Sequence, residues 1–126
     1  MANILIIEDE DGLRATMCAV LRNAGHNVQE AADGNAGLKC FKESSPDIVI
    51  TDIVMPGKEG IETIVELRRL APKVKIIAMS GGGRSSPKDY LKMARTLGAS
   101  QTLSKPFWSE DLLASVKNLV GSQSLQ

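Results

Sequence analysis

The stretch from Asp47 to Gly57, Asp-Ile-Val-Ile-Thr-Asp-Ile-Val-Met-Pro-Gly, constrains this chain more than any other. Its β-branched run Ile48-Val49-Ile50 is continuous rather than alternating, the pattern of a strand covered by helices on both faces of a parallel sheet. Pro56 and Gly57 break the chain soon afterwards, so the run reads as a buried strand that delivers Asp52 to a loop at its carboxyl end. In open α/β sheets, ligands and chemistry gather in the crevice beyond those strand ends, which makes Asp52 a site candidate. Taken alone, an acid there reads equally well as a solvated loop residue or a helix cap, so the other segments must discriminate.

Length and charge narrow the classes. A chain of 126 residues makes one domain with room for a core that needs no metal or disulfide. Fifteen basic side chains balance fifteen acidic ones, so the excess positive charge that attracts nucleic acid or an anionic membrane is missing. Cys18 and Cys40 have neither paired spacing nor neighbouring histidines or cysteines to complete a metal site, and read as buried free thiols in a reducing compartment. The opening Met1-Ala-Asn-Ile-Leu-Ile-Ile-Glu8 lacks the basic flank of a signal peptide, and no apolar run is long enough to span a membrane. The expectation is a cytoplasmic protein.

Ile4-Leu-Ile-Ile7 repeats the design of the Asp52 stretch, ending in Glu8, Asp9 and Glu10. From Asp11 to Ala24, the residues Leu13, Met17, Val20, Leu21 and Ala24 recur at helical spacing, and Gly25 sits where a left-handed stop belongs. His26 to Ala31 reads as a weak edge strand, with the lone His26 in a solvated turn. Asp33 caps a helix to Glu43 with Ala36, Gly37, Cys40 and Phe41 inward, and Ser44-Ser-Pro46 ends it. Beyond the central strand, Ile61, Ile64, Val65 and Arg68 mark a helix closed by Pro72, and Val74 to Met79 is another buried strand. Ser80-Gly-Gly-Gly-Arg-Ser-Ser86 is the longest loop. Ser86-Pro87-Lys88-Asp89 starts a helix carrying Leu91, Ala94 and Leu97 to Gly98. Ser100 to Leu103 is a second polar edge strand, ended by Lys105-Pro106. Leu112, Leu113, Val116, Leu119 and Val120 form a last helix, with residues 1–121 as the domain and 122–126 as a frayed tail.

Strands therefore alternate with helices five times, which is a single doubly wound α/β domain. The first, third and fourth strands are apolar and the second and fifth are polar. With right-handed crossovers this favours the order 2-1-3-4-5. The ends of the first and third strands are then neighbours, gathering Glu8, Asp9 and Asp52. Such carboxylates repel one another by ~1 kcal/mol per pair in water and more near a protein surface, so a cation belongs among them. All-oxygen donors without His or Cys select a hard ion, and magnesium fits best. The ends of the fourth and fifth strands bring the Ser80 hydroxyl and the Lys105 ammonium to the same rim. A cation, a lysine and a hydroxyl around a carboxylate form a phosphate-binding group.

With these segments in order, the chain from Ile4 to Val120 resembles the receiver domain of two-component response regulators. The motifs are Ile-Ile-Glu8-Asp9-Glu, Thr-Asp52-Ile-Val-Met-Pro-Gly, Met-Ser80-Gly and Ser-Lys105-Pro-Phe, each at a strand end. The resemblance implies the flavodoxin-like fold of the CheY-like superfamily. It implies that Asp52 accepts a phosphoryl group from a phosphohistidine on a sensor histidine kinase or phosphotransfer protein, with acetyl phosphate a candidate small donor. Asp9, Asp52 and the Val54 backbone carbonyl would hold magnesium, with Glu8 acting through a water. Lys105 would pair with the phosphoryl group and Ser80 would hydrogen-bond it, switching a surface read by a downstream target protein. Such domains are monomers or pair weakly on phosphorylation.

Two positions depart from the family pattern. Glu8 stands where many relatives have Asp, and Thr102 stands three residues before the lysine where an aromatic is usual, which puts the serine–aromatic coupling in doubt. Signalling is then expected to rest on the Gly81-Gly82-Gly83 loop and the helix after it. Trp108 is a candidate partner anchor, with a core or covering role as its alternative. Other functions on such a sheet are a magnesium-dependent phosphatase with an aspartyl nucleophile, an unphosphorylated binding module, and a flavin or nucleotide binder. The phosphatase usually has a second acid two residues after the nucleophile, where Val54 stands. The nucleotide binder needs amides rather than Glu8-Asp9-Glu10 after the first strand.

Overall fold

The computed structural model describes residues 2–53, 60–80, 92 and 95–124, the last four of these through the backbone alone. Five strands, β1 (Asn3–Ile7), β2 (Asn27–Ala31), β3 (Ile48–Asp52), β4 (Lys75–Ser80) and β5 (Gln101–Ser104), form one parallel sheet in the order β2-β1-β3-β4-β5. The described helices are α1 (Asp11–Asn23), α2 (Gly34–Ser44), α3 (Gly60–Leu70) and α4 (Ser109–Ser124). The predicted helix from Ser86 to Leu97 and the Gly81-Gly82-Gly83 loop lie largely or wholly outside the described residues. No helix among the described residues is long and apolar enough to cross a membrane.

The continuous apolar runs have the expected cause. Side chains alternate across a strand, and helices cover both faces, so both sets are buried. Leu5, Ile7, Val49, Ile53, Ile76 and Ala78 pack under Leu38 and Phe41 of α2 and Ile64 and Leu67 of α3. Ile4, Ile6, Ile48, Ile50, Ile77 and Met79 pack under Met17, Cys18 and Leu21 of α1 and Leu112, Val116 and Leu119 of α4. Each Val, Leu, Ile, Phe or Met among them contributes about 1.5–3 kcal/mol on burial. Register aligns Ile7 of β1 with Thr51 of β3, so Glu8, the residue that follows β1, comes level with Asp52, the last residue of β3.

Helix boundaries follow local chemistry. The Asp33 carboxylate accepts from the Ala36 N–H at 2.8 Å and caps α2, and Ser45, with φ of 48°, turns the chain out of it. Gly25, with φ of 97°, follows α1, a conformation that costs a residue with a Cβ more than glycine. Arg68 ties the end of α3 to its surroundings, donating to the Pro72 and Val74 carbonyls at 2.8 Å each and to the Gly98 carbonyl.

Several expected faces are rotated. On α1, Ala24 is exposed and Cys18 is buried; on α2, Ala36 is exposed, Cys40 is half-buried and Leu38 is buried instead. On α3, Val65 points outward, and Thr63 and Leu67 join Ile64 inside. Short helices with small residues leave the stripe ambiguous by one position, about 100° of rotation, and packing on the sheet resolves it. His26 is half-buried rather than solvated, and its Nδ1 accepts from the Ala2 N–H at 3.1 Å. At the other end, α4 is helical through Ser124, past Gly121, since one glycine costs a helix only about 1 kcal/mol.

Candidate functional site

The register of β1 against β3 is what makes the site. Glu8 and Asp9 follow β1, Asp52 ends β3, Ser80 ends β4, and Lys105 follows β5 directly. Carboxylate oxygens of Glu8, Asp9 and Asp52 lie within 4.8 Å of one another. Glu8 and Asp52 are buried, whereas Asp9 is exposed at the mouth. The Lys105 ammonium enters between the buried pair, donating to Glu8 Oε1 at 2.6 Å and to Asp52 Oδ2 at 2.7 Å. The Lys105 backbone N–H donates to the Ser80 carbonyl at 2.8 Å, which joins the ends of β4 and β5 and sets where that side chain starts.

Glu8 is held from every side. Its N–H donates to the Ala31 carbonyl at 3.0 Å, its Oε2 accepts from the Glu10 N–H at 3.0 Å, and its carbonyl accepts from Arg14 Nη1 at 2.8 Å. Burial pushes the Glu8 carboxyl above its ordinary value and proximity to Asp52 adds to this, while the bonds from Lys105 and the Glu10 amide oppose it. For Lys105, burial works against the charge, but hydrogen bonds to Asp52 and then Glu8 outweigh it, so its pKa rises on balance.

Two features serve the acid at the end of β3. The Ile53 N–H donates to the Met79 carbonyl at 2.9 Å, carrying sheet pairing one residue past Asp52. Gly60 then begins α3 with its N–H on the Ile53 carbonyl at 2.8 Å. A Cβ at Gly60 would strike the Asp52 carbonyl oxygen and the Ile53 backbone, so α3 can pass this close only with glycine there. The Ser80 side chain, 1% exposed, carries the one described buried Oγ without a hydrogen-bond partner.

The donor set fits a hard divalent cation. It offers three carboxylates and no sulfur or imidazole, and one lysine offsets only part of the negative charge. Both Glu8 oxygens already accept hydrogen bonds. Val54 lies outside the described residues. Thr102 is half-buried on β5, opposite Ala78. Trp108 is 76% exposed beside the half-buried Phe107, so it is not a core residue.

Sequence reasoning overlooked Arg14 and Gly60. Arg14 was legible as the first cation after four successive acids, Glu8 to Asp11; nothing local marked Gly60, whose neighbour is the preceding strand.

Comparison with known proteins agrees with this geometry. The family model described as "Response regulator receiver domain" matches residues 4–117. The sensor kinase CckA of Brucella abortus is 35% identical over 97% of this chain, which spans 13% of that protein. The transcriptional regulatory protein PdtaR of Mycobacterium tuberculosis is 35% identical over 90% of this chain, which spans 54% of it. Thus the chain covers about half or less of these two relatives. Among solved structures, a response regulator receiver domain protein from Clostridium thermocellum superposes with a TM-score of 0.90 at 31% identity, covering 99% of this chain and 98% of that one. Sheet order, strand-end acids and family match converge: the chain belongs to the response regulator receiver domain family.

Proposed function

We propose that Asp52 accepts a phosphoryl group from a phosphohistidine of a sensor kinase or phosphotransfer protein, and that the modified site switches a surface recognised by a downstream target protein. The observation that carries this is the Lys105 ammonium bridging Asp52 and Glu8 at 2.7 and 2.6 Å, beside a buried Ser80 hydroxyl with no partner among the described residues. An Asp52 carboxylate oxygen attacks phosphorus in line; its bond to phosphorus forms as the phosphorus–nitrogen bond of the donor breaks, returning the imidazole. Lys105, already charged, pairs with the incoming phosphoryl oxygens. Ser80 gains an acceptor for its orphaned hydroxyl, which favours the modified state and draws the end of β4 towards Asp52. Asp9, Asp52 and the Val54 backbone carbonyl, with Glu8 through a water, would hold a magnesium ion, which would neutralise phosphoryl charge.

A phosphoacceptor switch is favoured over a phosphatase because Val54 occupies the position where aspartyl-nucleophile phosphatases usually carry a second acid. The exposed Trp108 supports a protein partner near the Lys105 loop.

Intact mass after incubation with acetyl phosphate and magnesium tests the reading, using wild type, Asp52→Asn and a chelator control. The expected result is a single phosphoryl adduct on wild type that is lost with the chelator or the substitution. Failure of wild type with both acetyl phosphate and competent phosphohistidine donors, or an unchanged adduct on Asp52→Asn, overturns it.

A further inference from the structure

The Arg14 side chain, on the first turn of α1, is only 15% exposed although it carries a full charge. Its guanidinium reaches three elements at once. Nη1 donates to the Glu8 carbonyl at 2.8 Å, Nη2 to Asp11 Oδ1 at 2.7 Å, and Nε to Glu30 Oε1 at 3.1 Å. The end of β1, the start of α1 and the edge strand β2 are thereby fastened through one planar group. Lysine cannot reproduce this, because an ammonium is a point charge without the fork of fixed donors.

We propose that Arg14 is a positioning residue for the acidic site: through the Glu8 carbonyl it fixes the Glu8–Asp9 turn, so that both carboxylates are presented to a divalent cation with little reorganisation. This rests on reading the cluster as a cation site. The hydrogen bond that Arg14 makes to this site goes to the Glu8 backbone carbonyl, so it acts through the backbone that carries the two acids. Its other two bonds set the direction of the guanidinium, and its charge is largely offset there by Asp11 and Glu30.

Charge and position predict opposite outcomes. Removing a cation from an acidic neighbourhood strengthens the attraction for a divalent ion, an effect that salt screens. Losing the anchor of the Glu8–Asp9 turn weakens binding at any salt concentration. Groups that hold metal ligands in place typically change affinity by about 10–100-fold when removed. Arg22 supplies the matching control. It shares Glu30, at 3.7 Å, and carries the same charge, but its hydrogen bond goes to the Val28 carbonyl rather than to Glu8.

The test is the Mn2+ dissociation constant, read by electron paramagnetic resonance at low and high salt, for wild type, Arg14→Gln, Arg14→Lys and Arg22→Gln. The expected result is binding weakened roughly tenfold or more in both Arg14 variants at both salt concentrations, with Arg22→Gln equal to wild type at high salt and no weaker at low salt. In metal-free protein, amide hydrogen exchange at Asp9 and Glu10 should accelerate in the Arg14 variants. Wild-type affinity in Arg14→Lys would mean that charge suffices and would overturn the proposal, as would unchanged exchange. Loss in Arg22→Gln equal to that in Arg14→Gln would also refute it. Wild type that binds no divalent ion refutes the cation reading and this inference with it, whereas normal wild-type binding with unaffected Arg14 variants refutes this inference alone.

Discussion

Replacing Lys105 with methionine isolates the electrostatics of the site. The lysine side chain is 20% exposed and lies between the Glu8 and Asp52 side chains, which are 1% and 8% exposed. Methionine preserves much of the stem while removing the only described cation that touches both acids. Breaking a buried ion pair on one side costs about 3–5 kcal/mol, because the abandoned charge stays buried. Partial solvent access at the lysine brings this below the fully buried range, to about 2–3 kcal/mol in metal-free protein. For a chain of this size that is roughly a 10 °C fall in Tm. Thermal unfolding followed by circular dichroism at neutral pH, in chelator, measures it.

The pH dependence has a definite sign. The folded pKa of Glu8 lies above its ordinary 4.5, so its contribution to stability is fully present below 4.5 and is lost as pH rises through the folded value. Lys105 is among the influences that lower it, so Lys105→Met raises it further and moves that loss to higher pH. The variant should recover towards wild type on acidification as Glu8 takes up a proton. Magnesium should also rescue the variant more than it stabilises wild type. A Tm within about 2 °C of wild type in chelator at neutral pH would refute the reasoning, since the carboxylates would then be hydrated well enough to tolerate one another.

Two further outcomes are expected. Ser80→Ala removes a buried hydroxyl with no partner, whose burial costs about 1–3 kcal/mol, so Tm should hold or rise by a few degrees while adduct formation at Asp52 slows; destabilisation by more than about 1 kcal/mol would show that the hydroxyl is satisfied. Burial, and then the nearby N-terminal charge, lowers the His26 pKa below 6.5, and its neutral Nδ1 accepts from the Ala2 N–H. A depressed folded pKa gives stability that is present above 6.5 and lost as pH falls through the folded value; wild-type Tm should therefore drop relative to His26→Gln on acidification through this range, and parallel curves would contradict the account.

The strand–helix alternation and the strand order were legible because both rest on local pattern. A β-branched run buried on two faces looks different from a half-exposed one, and polar strands belong at edges, so Ile48-Val49-Ile50 and the Asn27–Ala31 edge declare themselves. Parallel order and handed crossovers then place Glu8, Asp9, Asp52, Ser80 and Lys105 at the same end of the sheet without any coordinates. Helix faces were less legible. Ala36 and Leu38, or Val65 and Thr63, differ by rotations that residue type alone cannot fix, since an alanine or threonine is tolerated on either side.

What the sequence by itself determined, then, is the set of elements, their order, and which chemistry-bearing residues share a rim, because these follow from periodicity and chirality. Only the tertiary structure decided how the rim is wired. It placed the Lys105 ammonium between Glu8 and Asp52, left the Ser80 hydroxyl without a partner among the described residues, passed Gly60 against the Asp52 carbonyl, and sent Arg14 to the Glu8 backbone. Each of these joins groups from different elements at distances of a few ångströms. Their geometry depends on how whole strands and helices pack against one another, which no local window of sequence contains.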